Sequence, residues 1–210
     1  MPARIRFRIV PTTRAVYQLR ITLQDIQPLV WRQIQVWEDI TLGQLHAILQ
    51  IVMNWEDYHL HEFTIGRRLY SVPDPDDEMH ERKVIDESRA KLCDVVPRVG
   101  TQFLYAYDFG DDWRHELLLE AIVMAEPGTQ YPRCIAGARR TPPEDVGGTP
   151  GYENYLEALA DPEHEEHEDL LNWRGEFDSE AFSLDEVNQR LRKRFRSTRK
   201  PASAKVPTSK

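Results

Sequence analysis

The patterned part of the chain begins at residues 15–24, AVYQLRITLQ, where Val16, Leu19, Ile21 and Leu23 are set among polar neighbours. Such alternation marks a half-buried strand. After a turn at IQP, residues 29–37, LVWRQIQVW, set Val30, Arg32, Ile34 and Val36 against Trp31, Gln33, Gln35 and Trp37. Two alternating runs this close in sequence predict an antiparallel hairpin. The period then changes. Thr41 and Gln44 spell a capping box, and Leu42, Leu45, Leu49 and Val52 recur at helical spacing, so a helix is expected to end near Asn54 and Trp55. LHEFTIG and RRLYSV predict a second hairpin turning at Gly66. Residues 73–88, PDPDDEMHERKVIDES, are acidic and proline-containing and read as a mobile surface loop, followed by KLCDVVP as a short helical turn or strand.

QFLYAYDF and RHELLLEAIVM are strong strands around the turn Gly110-Asp111-Asp112. Residues 126–151 hold five of the 14 prolines and five of the ten glycines, and read as a long loop of the kind that often carries function. Helices close the domain. Thr149 is the expected N-cap, with Pro150 in the first helical position, ahead of Tyr152, Tyr155, Leu156 and Leu159. Asp161-Pro162 repeats that signal before Leu170, Leu171 and Trp173. Ser183 with Glu186 forms a further capping box before Val187 and Leu191. The succession predicts an α+β fold on a mixed or mostly antiparallel sheet, with a β-grasp-like first half and C-terminal helices. It divides the chain into an N-terminal extension (1–14), one domain (15–195) and a disordered basic tail (196–210).

Composition narrows the class. With 40% hydrophobic residues and five Trp, the chain has material for a sizeable core. No apolar run reaches 18 residues, so no membrane span is expected, and the basic N-terminus lacks the apolar stretch of a signal peptide. The two cysteines, Cys93 and Cys134, form no disulfide framework and fit a reducing, cytoplasmic setting. Charge is uneven. Residues 190–210 carry nine Lys/Arg and no Asp/Glu; taking those nine from the net charge of −8 leaves −17 on residues 1–189. Such a body repels a phosphate backbone, whereas the tail is a place for nucleic-acid contact.

Candidate chemistry lies in three places. In YAYDFGDDWRHEL, Asp108, Asp111, Asp112 and His115 form a set able to bind a divalent cation or place a general base. The competing reading is a tight turn in which Asp108 accepts bonds from backbone amides, and it is favoured because Asp and Gly are turn residues. In DYHLHEF, His59 and His61 are two apart. On one strand that spacing puts both imidazoles on one face, with His115 or Asp108 needed as a third ligand. His164 and His167 in PEHEEHED are three apart, not the four of a zinc-protease helix, and read as a solvated acidic face. In the Pro/Gly segment, Arg139, Arg140, Glu144 and Asp145 are candidates for orienting an anion or a partner, with Gly147 and Gly148 permitting close backbone approach. The tryptophans read mainly as core, with Trp37 partly exposed.

Several of these stretches together carry a resemblance. PLVWRQIQV, TLGQLHAILQIVMNWEDYHLHEF, FLYAYDFGDDWRHEL, YPRCIAGARRTPPEDVGG and GYENYLEALADPEHEEHEDLLNW resemble the Ri-plasmid ORF-3-like family from about Tyr17 to Leu191. Its members are widespread in bacteria and archaea, and many are passengers of insertion elements, some under the label TnpR or resolvase. The resemblance implies a fold and a genomic context rather than a reaction. Relatives commonly carry cysteines at both ends of the PPED segment and one in YPRC. Here Cys134 matches the last, while Thr141 and Val146 stand in the other places, so a thiolate-rich metal site cannot form from this loop. The resolvase label does not fit: Ser71, Ser88, Ser179 and Ser183 lie near acidic segments without an arginine cluster, and no helix-turn-helix signature is evident.

On sequence alone the favoured function is a mobile-element accessory protein, a non-catalytic module that binds another protein, with no cofactor. The alternatives are a metal-binding or hydrolytic enzyme of phosphoester type using the His/Asp set, and nucleic-acid association through the basic tail. No membrane partner is expected.

Overall fold

The computed structural model describes residues 14–74 and 83–195. Most of the expected N-terminal extension, the middle of the acidic loop and the basic tail lie outside the described residues. Eight strands form one open sheet: β1 (Ala15–Leu23), β2 (Trp31–Trp37), β3 (His61–Ile65), β4 (Arg68–Ser71), β5 (Val84–Asp86), β6 (Gln102–Tyr107), β7 (Trp113–Met124) and β8 (Arg133–Ala138). Their order is β5-β4-β3-β6-β7-β1-β2-β8. Only β4 and β5 run parallel; every other pair is antiparallel. Five helices complete the described residues: α1 (Leu42–Met53), α2 (Leu92–Val95), α3 (Gly148–Ala160), α4 (His167–Arg174) and α5 (Leu184–Arg194). The fold is therefore α+β on a mixed, largely antiparallel sheet, and it opens with the expected hairpin, helix and strand.

Alternation fixes which face of the sheet is buried. Leu19, Ile21 and Leu23 of β1, Ile34 and Val36 of β2, Phe63 of β3, Tyr105 and Tyr107 of β6, and Trp113, Leu117 and Leu119 of β7 all lie in the core. Helix α1 contributes Leu42, Leu45, Ile48, Leu49, Val52 and Met53 to the same core. The Thr41 hydroxyl accepts from the Gln44 amide while the Gln44 side chain accepts from the Thr41 amide, closing the capping box. A cap of this kind stabilises a helix by about 1 kcal/mol. At its other end α1 stops on Asn54, whose φ of 59° lies in the left-handed region. The chain leaves α1 sharply there, which brings residues 55–59 back toward the open end of the sheet.

Several expectations change. Val84–Asp86, inside the segment read as an acidic loop, is strand β5, parallel to β4. The Pro/Gly segment 126–151 is not all loop: Arg133–Ala138 is edge strand β8, antiparallel to β2. Its RCIAGA has no alternation of large apolar residues, so the periodicity that reveals β1 is missing. Helix α3 starts at Gly148 behind Gly147, two residues before the expected first position Pro150. Asp161 ends α3 and accepts from the Glu163 amide in a turn, so α4 begins only at His167. Of the tryptophans, Trp55 and Trp113 are core, whereas Trp31 and Trp37 are half-buried beneath the guanidinium groups of Arg20 and Arg14.

Candidate functional site

The register places an unusual set of residues on the inner face at one end of the sheet. His61 pairs with Tyr107, and Tyr107 with Trp113; in the next row Phe63 pairs with Tyr105 and Tyr105 with His115. Beyond this end the chain turns through Asp108–Asp112, and here the two readings of the aspartates separate atom by atom. Asp108 has a φ of 56°. Its Oδ1 accepts from the amides of Gly110 (2.9 Å) and Asp111 (3.3 Å), the clasp expected of a turn residue. Its Oδ2 does something else: it lies 3.5 Å from His59 Nε2.

His59 is the centre of a cluster. Its Nε2 is 3.0 Å from Asp145 Oδ1 and 3.9 Å from Glu144 Oε2 as well. The three oxygens come from two distant segments, and one ligand atom each from His59, Asp108 and Asp145 fits within 4.8 Å. Glu144 is buried, and its Oε1 accepts from the Glu56 amide (2.8 Å) and the Tyr107 hydroxyl (3.0 Å). Its Oε2 is also buried and has no hydrogen-bond partner; His59 Nε2 likewise aligns with none of its three acidic neighbours. Tyr107 is held neutral, its pKa raised by burial and then by Glu144. The cluster opens to solvent on one side, through the His59 and Asp145 side chains, 28% and 60% exposed.

The aspartate corner and the PPED segment are joined directly. Asp111 Oδ2 accepts from the Gly147 amide at 3.2 Å. A Cβ on Gly148, where φ is +67°, would stand 2.6 Å from the Asp111 carbonyl oxygen. Glycine is thus required for the two backbones to meet at this distance. Trp55 braces the junction by donating to the Pro142 carbonyl (3.1 Å) and stacking on Tyr107.

The remaining candidates lie apart. His61 does not share a face with His59, because β3 begins at His61 and His59 stands in the bent segment before it. His61 is buried, its Nε2–H donates to Glu87 Oε2 at 2.8 Å, and its ring stacks on His46 with centroids 3.4 Å apart. His46 in turn meets Asp57 Oδ1 and the Tyr105 hydroxyl, both at 2.8 Å. Burial lowers the His46 pKa, and the neighbouring His61 lowers it further. His115 supplies no third ligand: it is fully buried, its Nδ1 faces the Tyr105 carbonyl, and burial pushes its pKa down to about 4. Asp112 pairs with Arg114 on the surface. Arg139 pairs with Glu180 and meets Ser179, and Arg140 lies over Phe177. Cys134 is buried beside Asn188 of α5, and Thr141 bonds to the Met53 carbonyl. Sequence reasoning missed His46, Gln50, Asp57 and Glu87. Its one available signal was that His46 and Gln50, a turn apart, sit on the apolar face of α1, where polar residues need partners.

Fold and site together define an α+β domain with an open, one-face-buried sheet and a carboxylate–imidazole cluster at its end. The chain belongs to the plasmid pRiA4b ORF-3-like protein family, whose model matches residues 15–186. It is 38% identical over 178 residues to the uncharacterized protein y4hQ of Sinorhizobium fredii, covering 83% of this chain and 90% of that one. The crystal structure of a protein of unknown function, MM3350 from Methanosarcina mazei Go1, superposes with a TM-score of 0.75 at 40% identity, covering 84% of this chain and 98% of the other.

Proposed function

We propose that the chain binds a divalent transition-metal ion through His59, Asp108 and Asp145, with the buried Glu144 carboxylate beside them. The observation that supports this is the convergence of three carboxylates on one imidazole nitrogen, with no Lys or Arg side chain among the described residues paired to any of the three. Gathering like charges at a half-buried site is costly unless a cation offsets them. The spacing suits one. Ligands bound at about 2.0–2.2 Å and tetrahedral angles stand about 3.4 Å apart, close to the 3.5 Å and 3.0 Å that separate His59 Nε2 from Asp108 and Asp145. Mixed imidazole and carboxylate donors select zinc, manganese or ferrous iron over magnesium. The exposed side leaves positions for water, so metal-assisted hydrolysis is the reaction class that fits.

The test is metal content after loading with zinc or manganese and removal of free ion. One ion per chain is expected for the native protein and a loss of retention in His59→Ala and Asp108→Asn. The Asn variant keeps the Oδ1 that clasps the turn, so it should remain folded. A native protein that retains no ion defeats the proposal.

A second reading, binding of another protein, is supported by exposed apolar side chains close in sequence to the cluster: Tyr58, Leu60 and Phe109. Nucleic-acid contact through the tail concerns residues outside the described ones and stays an expectation.

A further inference from the structure

Arg32 is 2% exposed on the inner face of β2. Its guanidinium donates to four backbone carbonyls: Val52 through Nε, Trp31 and Ala138 through Nη1, and Arg139 through Nη2, each at 2.8 Å. That ties β2 to α1 and β8, and leaves one N–H on Nη2. No carboxylate meets it. Burial pushes the pKa down only to about 10, so the group stays cationic at neutral pH. A buried cation facing only carbonyls is a costly arrangement.

Arg32 lines a cavity of about 690 Å³, which is the volume of a small-molecule site. Two more guanidinium groups line it, those of Arg140 and Arg190, both exposed and neither paired with an acid among the described residues. Arg190 bonds to Asn54, and Arg140 stacks on Phe177. Glu186 is the single carboxylate in the lining. Val52, Val187 and Phe182 supply an apolar wall, with Phe182 stacked on Arg32 at 4.3 Å. Gly137 makes room for that stack: a Cβ there would stand 2.7 Å from Phe182 and 2.9 Å from Arg32. The floor is thus one buried cation, the mouth two exposed ones, and the wall apolar.

We infer that this cavity binds a small organic phosphate, whose phosphoryl oxygens take the forks of Arg140 and Arg190 and the one remaining N–H of Arg32, and whose carbon body lies on the apolar wall. Guanidinium geometry matches a phosphate bidentately. Surrounding acid elsewhere on the body does not compete, because only Glu186 reaches the lining. The site is separate from the His59 cluster, although the segment 140–145 contributes to both, Arg140 and Thr141 to the cavity and Glu144 and Asp145 to the cluster.

Calorimetric titration of the full chain in chelator tests this without the metal reading. The probes are phenyl phosphate, adenosine monophosphate and inorganic phosphate. At least one organic phosphate is expected to bind more tightly than inorganic phosphate. Arg140→Gln and Arg190→Gln should each weaken it about tenfold, with unchanged thermal unfolding because both side chains are exposed. Absence of binding by both organic probes, equal affinity for inorganic phosphate, or affinity unchanged in both variants overturns the inference.

Discussion

His115 shows how one buried side chain couples this protein to pH. Its folded-state pKa of about 4 lies below the ordinary value of 6.5 because burial disfavours the imidazolium. Between those values the unfolded chain binds a proton that the folded chain does not. Stability is therefore fully present above about pH 6.5 and falls as pH drops toward 4, by about 3 kcal/mol from this residue. His46, shifted in the same direction, adds to the slope. Denaturant unfolding across that window should show the loss, and His115→Leu should flatten it even if its absolute stability differs. A slope unchanged in the variant would show that His115 is not the titrating group. Asp108 makes a different point at this scale. One of its oxygens holds the turn and the other faces His59, so the structural and the ligating readings of this aspartate describe two atoms of the same carboxylate.

Between elements, the decisive contact is the docking of the α3 N-terminus against the turn between β6 and β7. Gly148→Ala would put a methyl against the Asp111 carbonyl, whereas Gly66, at a similar positive φ, has nothing within 4 Å of its Cβ position. Gly66→Ala therefore carries only the left-handed backbone cost of about 1 kcal/mol. Gly148→Ala should lose about 1–3 kcal/mol more through overpacking. Equal losses in thermal or denaturant unfolding would show that the two segments do not meet closely. This level also shows what the sequence discloses. Elements β1, β2, α1, β3 and β4 are legible because alternation and capping are local signals. Strand β8 is not, since Gly137 and the small residues around it replace alternation with room for Arg32 and Phe182. The divergence of His59 from His61 is equally hidden: parity counts hold inside a strand, and β3 starts between them.

For the whole molecule, the sheet buries one face under its helices and gathers its polar interior residues toward one end. The acids that face His59 come from positions 108, 144 and 145, so no local spacing in the sequence announces the cluster. The distinctive YDFGDDW and PPEDVGG stretches mark its parts, but only the long-range fold brings them together. A net −17 on residues 1–189 also raises the local concentration of cations around such a site. The most direct test of the metal reading is X-ray absorption at the zinc edge of the loaded protein. It should show only nitrogen and oxygen neighbours at about 2.0–2.2 Å, with the outer-shell signature of a single imidazole. A sulfur neighbour at about 2.3 Å, or a second imidazole, would place the ion elsewhere and contradict the assignment to His59, Asp108 and Asp145.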